Sequence, residues 1–253
     1  MNKVLKFFKD YWITIAIFIG LAVAYTVGVD SGSLNGFLFP PAGEIAESLV
    51  KQRGTMILNL LASFKLLVPA ILIALAIALS VGVLLGMSPK LRKVLHPVVY
   101  TFSVIPSILL SPFALLLAPS FWTASLFLVI YGTIWGTLFA TITGIQTIDK
   151  RYLDNAATLG LSKWTRFTKV ILPAASPSIL AGFVNSLRGS FVILVYAEMY
   201  GAQYGLGFFV KKYTEYGLYG DAWAGFLFMV LVLVVVMQIF ERVKEHILRW
   251  TID

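Results

Sequence analysis

Long apolar runs separated by short polar segments dominate the sequence. Six of these runs are long enough to cross a bilayer, which takes about 20 residues of helix, and they cover residues 11–29, 58–87, 94–118, 121–145, 174–199 and 222–240. Residues 42–51, between the first two runs, have helical amphipathic spacing with Glu44 and Glu47 on the polar side. The pattern predicts an all-α membrane protein with about six transmembrane helices and a short external helix on the membrane surface.

Composition and charge support this prediction. Hydrophobic residues make up 59% of the chain and charged residues 13%, and the mean hydropathy is +0.87. The net charge of +8 is carried in short clusters between the apolar runs, which argues against nucleic-acid binding. Segments 1–10, 88–93, 149–173 and 241–250 hold 14 of the 20 Lys and Arg residues. The positive-inside rule therefore predicts that these segments, and both termini, are cytoplasmic.

Several features describe individual runs. The first run resembles a signal peptide in its basic start, but it continues past a loose cleavage-like sequence, so we expect a retained transmembrane helix. Gly82 and Gly86 form a GxxxG pair, which either allows close helix packing or arises by chance. Prolines are expected to break or kink the third run, and they are Pro97, Pro106 and Pro112. Residues 88–93 form a basic turn, and residues 200–221 form an external loop.

Hydroxyl side chains recur every fourth residue in the third and fourth runs, so each set is expected to share a helix face. These residues are Ser103, Ser107 and Ser111, followed by Thr133, Thr137 and Thr141. They line a polar pathway or join neighbouring helices. The fifth run adds Asn185, Arg188 and Glu198. Arg188 is expected to face the bundle interior, water or a partner. Glu198 is either a pathway residue or a charge at the membrane interface. The candidate pathway residues are Ser103, Ser107, Thr137, Asn185, Arg188 and Glu198.

The polar segment 147–173 is more ordered than a simple connection. Asp149 is placed to cap a first short helix, Gly160 to end it in a left-handed conformation, and Ser162 to cap a second. Pro173 marks where the second helix must end or kink. The segment is predicted to dock on a cytoplasmic partner, and the alternative is a basic loop on the lipid surface.

The sequence lacks the patterns of an enzyme. It has no P-loop for ATP, no cysteine, and two histidines, His96 and His246, without companions for a metal site. We therefore expect no catalytic residues, metal or cofactor in this chain. Buried acidic residues for ion coupling are also scarce, so the energy for transport is expected to come from another subunit.

The polar segment resembles the EAA loop of permease subunits of ATP-binding-cassette (ABC) importers. That motif, E-A-A-x-x-x-G followed by I-x-L-P, stands here as DNAATLG at residues 154–160 and ILP at residues 171–173. The glycine, the second alanine and the ending match, whereas Asp154 and Asn155 replace Glu and Ala. The resemblance is nearest the nitrate, sulfonate and taurine group, through stretches such as AEMYGAQYGLG at residues 197–207. Residues 115–125 lack the glycine-rich stretch usual in that group.

The resemblance implies a type I importer permease fold in a bacterial plasma membrane. An N-terminal part, residues 1–57, would precede a core permease domain, residues 58–253, that includes coupling segment 147–173. The residues implied in ATPase coupling are Asp154, Asn155, Ala156, Ala157, Leu159, Gly160, Leu161, Trp164 and Pro173. Asp154 would supply a charge or a cap, Ala156 close approach and Gly160 the turn.

The implied partners are cytoplasmic ATPase subunits that bind ATP and Mg, a second permease subunit and an external solute-binding protein. The implied solute is a small organic or inorganic anion. A thiamine-precursor pyrimidine or riboflavin is the alternative on the same scaffold, and a stand-alone transporter or channel is the alternative class.

Overall fold

The computed structural model describes residues 3–249, with side chains from residue 11 onward, as helices joined by short turns. The α-helices are α1 (Lys3–Asp30), α2 (Ala42–Lys51), α3 (Arg53–Met87), α4 (Pro89–Ser103), α5 (Ser111–Leu117), α6 (Phe121–Gln146), α7 (Lys150–Thr158), α8 (Lys163–Arg166), α9 (Leu172–Gly201), α10 (Leu206–Glu215) and α11 (Tyr219–Ile247). Among the described residues, five helices are long and apolar enough to cross a membrane, and the bent pair α4–α5 would make a sixth. This agrees with the predicted all-α membrane protein.

The core is built around α6, which packs against α3 on one side and α9 on the other. A Cβ atom at Gly82 would lie 2.7 Å from Thr141 Cβ, and one at Gly86 would lie 2.9 Å from Ile145 Cβ. The GxxxG pair therefore does bring two helices into close contact, as in other membrane helix pairs.

The α6–α9 contact is equally close. A Cβ atom at Gly182 would lie 2.1 Å from Ala140 Cβ. The Thr137 hydroxyl donates a hydrogen bond of 3.0 Å to Ser186 Oγ across the two helices. Small residues and hydroxyl groups thus hold α3, α6 and α9 as one three-helix core.

The third predicted span is broken. Helix α4 begins at Pro89, with Ser88 as its N-cap, so the predicted turn over residues 88–93 is reduced to its first residue. After Ser103 the chain turns into a 3₁₀ helix (Ser107–Leu110) and α5, and the two parts are bent by 78°. Pro106 has no N–H and restricts the residue before it, which explains the break. Ser103, Ser107 and Ser111 therefore do not share one helix face, and that prediction was wrong.

The C-terminal part is more helical than predicted. The predicted external loop, residues 200–221, contains α10, which packs on α3, α9 and α11. Helix α11 continues to Ile247, so most of the basic segment 241–250 extends the last long helix, while Trp250 lies outside the described residues. The glycines and tyrosines of segment 200–221 suggested a loop. The hydrogen bonds that stabilise the start of α10 come from distant residues, so this segment carries no local signal for the helix.

The N-terminal part contacts the core through few residues. None of the apolar window of α1 is buried, and the ring of Tyr25 lies 6.1 Å from that of Trp223 in α11. Helix α2 has the predicted bounds, with Glu44 and Glu47 exposed and Ile45 buried. Since α2 contacts the start of α11, it lies at the same end of the bundle as α10. Helices α7 and α8 lie at the opposite end.

Candidate functional site

The coupling segment begins with a local cap. The Arg151 backbone N–H donates to Asp149 Oδ1 at 2.9 Å, so Asp149 is the N-cap of α7, as predicted. The Arg151 guanidinium also donates to Asp149 Oδ2, and the hydrogen bonds from the Arg151 side chain and backbone lower the pKa of the Asp149 carboxyl. The cap therefore stays ionised at neutral pH and faces the positive end of the helix dipole.

The turn between α7 and α8 is also set by local residues. Gly160 has a φ of +63°, and the N–H groups of Leu161 and Gly160 donate to the carbonyls of Ala156 and Ala157. This is the Schellman arrangement that ends many helices. The Thr165 N–H then donates to Ser162 Oγ at 3.2 Å, which caps α8. The predicted helix–glycine–helix is confirmed.

The second short helix does not end at Pro173. It continues from α8 through a π-helical segment (Phe167–Ile171) into α9, with Pro173 in the first turn of α9. A proline removes one N–H and crowds the carbonyl four residues earlier, and a wider turn before it accommodates both effects. The coupling segment is therefore joined to α9 without a break, since residues Lys163–Gly201 form one candidate span.

The coupling segment exposes three large apolar side chains among its polar residues. The exposed fractions are 61% for Tyr152, 74% for Leu159 and 72% for Trp164. An open cleft of about 690 Å³ lies beside α7. Five of the predicted coupling residues line it, and they are Asn155, Ala156, Leu159, Leu161 and Pro173. The segment thus presents large apolar side chains next to a concave surface.

The other predicted coupling residues have different positions. Asp154 lies within α7 with its side chain exposed, so it is not the cap of that helix. Of the two roles predicted for it, a cap or a charge, the charge is the one that fits this position. Ala156 is 2% exposed and packs within this chain, whereas Ala157 is exposed. The close approach predicted at Ala156 is therefore a contact with other residues of this chain.

Two pathway candidates lie on the exposed side of α9. Asn185 and Arg188 are both exposed, and Arg188 Nη2 pairs with Glu241 Oε1 of α11 at 2.8 Å. Arg188 thus faces away from the bundle interior of this chain. Glu241 comes directly after the apolar run of α11, so Arg188 lies level with the end of that run.

The hydroxyl candidates lie closer to the protein interior. Thr137 is buried against Ser186, and Ser107 is buried where the 3₁₀ helix meets α6. Ser103 is half-buried and donates to the Tyr100 carbonyl of its own helix. The structure of one chain therefore brings Asn185 and Arg188 together and separates them from these three.

Glu198 is not an interfacial charge. It is 2% exposed, and its Oε2 accepts from the Gly207 N–H at 2.8 Å. The Gly205 N–H donates to Asn59 Oδ1 and the Leu206 N–H to Ser63 Oγ, both at 2.9 Å. The only sequence signal for Asn59 and Ser63 was a spacing of four residues on an otherwise apolar helix, which places both on one face.

Comparison with known families identifies the chain. The model of the family "Binding-protein-dependent transport system inner membrane component" matches residues 74–252. The chain belongs to this family. The resemblance inferred from the EAA-like segment is therefore confirmed.

Individual relatives agree with this assignment. A probable ABC transporter permease protein of Brucella melitensis is 28% identical over 64% of this chain and 66% of its own length. A nitrate import permease protein of Synechococcus elongatus is 28% identical over 87% of this chain and 81% of its own length. A taurine transport system permease protein of Escherichia coli is 27% identical over 78% and 75%. The chain thus spans just under two thirds of the Brucella protein.

A solved structure has the same fold. The MetNI methionine ABC transporter, in an inward-facing form, contains a chain that matches with a TM-score of 0.63 at 17% identity. The match covers 79% of this chain and 97% of that chain. The predicted ABC importer permease fold is confirmed.

Proposed function

We propose that this chain is the transmembrane permease subunit of an ATP-driven ABC importer, and that segment 147–173 docks on a separate cytoplasmic ATPase subunit. The observation that carries the proposal is the pair of capped helices α7 and α8, which expose Tyr152, Leu159 and Trp164. Tyr152 and Leu159 line an open cleft. Exposed clustered apolar side chains on a rigid element are typical of a protein interface. ATP and Mg would bind in the partner.

The shape of the segment favours a protein partner over a lipid surface. Both helices start at hydrogen-bonded caps and are joined by a fixed left-handed turn. A loop that only binds anionic lipid needs basic charge and no fixed shape. Transmission of a partner's movement does need an element with discrete positions, and the continuous helix from Lys163 to Gly201 provides one.

The proposed solute is a small organic or inorganic anion. The relatives named for nitrate and taurine transport support this class. Arg188 and Asn185 support it as well, because they place a cation and an amide on a face of α9 that this chain leaves exposed. A second permease subunit would complete the pathway against this face, and an external binding protein would deliver the solute.

Docking is tested by co-expression with the ATPase subunit and capture on a tag of the permease. We expect Leu159→Glu combined with Trp164→Glu to abolish ATPase capture, because charge replaces the apolar contact. Phe37→Glu is the control, since Phe37 is 66% exposed at the opposite end of the bundle. Undiminished capture by the double variant would reject the docking surface, and solute uptake into liposomes without ATPase would reject the importer.

The solute class is tested in the reconstituted complex. Arg188→Gln is expected to raise the nitrate or taurine concentration that gives half-maximal uptake, because the pathway loses its cation. Glu241→Gln is the matched control, since it removes the partner of Arg188 but keeps the cation. Equal effects of both changes would assign the pair a structural role.

A further inference from the structure

We propose that Asn59, Ser63 and Glu198 are positioning residues that fix external helix α10 to α3 and α9, so that a protein binding on α10 alters ATP hydrolysis through α9. These three residues are called the α10 anchor below. The inference rests on the proposed function and adds the residues through which the external signal enters the membrane part.

The α10 anchor replaces the local cap that α10 lacks. Its N-cap position is Gly205, which has no side chain to accept a hydrogen bond. The N–H groups of Gly205, Leu206 and Gly207 donate instead to Asn59, Ser63 and Glu198. Three orphan N–H groups of one helix start are thus satisfied by two other helices.

The residues of the α10 anchor are buried, and the backbone of α10 approaches α9 closely. Asn59, Ser63 and Glu198 are each at most 9% exposed. A Cβ atom at Gly205 would lie 2.3 Å from Glu198 Cδ, and one at Gly207 would lie 2.5 Å from the Val195 carbonyl oxygen. Loss of any of these hydrogen bonds leaves a buried N–H without water to replace its partner. Helix α10 is therefore expected to move as one body with the end of α9.

The α10 anchor is at the far end of α9 from the coupling segment. Glu198 is in the last turn of α9, and the same continuous helix begins at Lys163 in the coupling segment. The last residues of α10, Thr214 and Glu215, are exposed, as is Tyr216 after it, so a partner can reach this part of the helix. A displacement of α10 is then passed to α9 by the hydrogen bond between Gly207 and Glu198, and along α9 by the continuous helix.

The test uses the full complex in nanodiscs with its binding protein and saturating solute, and measures ATP hydrolysis with and without the binding protein. Glu198→Ala is expected to reduce the ratio of stimulated to basal hydrolysis about fivefold or more, the usual size of a coupling between sites. In Asn59→Ala and Ser63→Ala, which are outside the candidate pathway, basal hydrolysis and the yield of assembled complex should change less than twofold. Asn59→Ala and Ser63→Ala should reduce the ratio in the same direction.

A conservative variant and controls separate positioning from folding. Glu198→Gln should restore most of the ratio, because its amide oxygen can accept from the Gly207 N–H. Ser190→Ala and Gly32→Ala should leave the ratio unchanged. Ser190 is a buried serine whose hydroxyl bonds its own helix α9, and Gly32 is a left-handed glycine with no neighbour within 4 Å. An unchanged ratio in Glu198→Ala, or an equal fall in basal and stimulated rates across the α10 anchor variants, would overturn the inference. Failure of the wild-type chain to assemble with an ATPase would instead reject the proposed function.

Discussion

Helices α7 and α10 both begin at hydrogen-bonded caps, but the caps come from different places in the chain. Asp149 caps α7 from within the same turn, two residues before the N–H that it accepts. The start of α10 is capped by Asn59 and Ser63, which are 146 and 143 residues away in the sequence. One cap is exposed at the polar end of the bundle, and the other is buried between spans.

The difference explains what each region can do. A local cap keeps its helix intact whatever its neighbours do, so α7 can be moved as a unit by a partner. A remote cap exists only while three helices keep their arrangement, so α10 reports the position of α3 and α9. The coupling segment is thus suited to docking, and the α10 junction to transmitting a displacement.

The largest difference is expected between alanine substitutions at the two glycines. Gly205→Ala should destabilise the protein by about 2–5 kcal/mol, since its φ of 123° and ψ of 162° suit only glycine and the new Cβ would meet Glu198. Gly160→Ala should cost about 1–2 kcal/mol, because its Cβ would have no atom within 4 Å and only the left-handed conformation is unfavourable. Thermal unfolding in detergent, followed by tryptophan fluorescence, measures both. Equal shifts would remove the distinction between the two regions.

A smaller effect is expected at Asn59. Asn59→Ala leaves the buried Gly205 N–H unpaired and should cost about 1–3 kcal/mol. Asn185→Ala is the matched control, because Asn185 is exposed on α9, and its cost should be within about 0.5 kcal/mol. The same unfolding assay compares them. If the control were as destabilising as Asn59→Ala, burial of the α10 anchor would not be the reason for its effect.

The smallest effect is expected at Asp149. Asparagine is as good an N-cap as aspartate, so Asp149→Asn should leave ATPase capture at pH 7 unchanged. Because hydrogen bonds from Arg151 lower the pKa of Asp149, its ionised form is stabilised, and this contribution is lost only as pH falls through that lowered pKa. Protonation of Asp149 should therefore not reduce ATPase capture by the wild-type permease between pH 7 and 5. A loss of capture in Asp149→Asn at pH 7 would show that the charge, and not the cap, is needed.

Local patterns were enough to predict much of the fold. The length of the apolar runs predicted the long helices, and amphipathic spacing predicted α2 with its observed bounds. Asp149, Gly160 and Ser162 predicted the two short helices of the coupling segment. Each of these depends on residues within a few positions of one another. Family resemblance added the fold class, which the comparison with a solved permease confirms.

Predictions failed where a contact joins distant residues. Helix α10 was missed because its cap lies in α3, and the ion pair of Arg188 was missed because its partner Glu241 lies in α11. The prolines of the third run predicted a break or a kink, but the sequence does not specify that the break follows Ser103 or that the bend is 78°. The roles proposed for the coupling and pathway residues stay predictions.

Photo-crosslinking from the coupling segment tests the central claim most directly. The chain has no cysteine, so Leu159→Cys and Phe37→Cys each provide a single site for a benzophenone maleimide. With the ATPase subunit present, illumination should give a permease–ATPase adduct from Leu159→Cys and none from Phe37→Cys. Absence of the Leu159→Cys adduct, or adducts of equal yield from both sites, would contradict the proposed docking of segment 147–173.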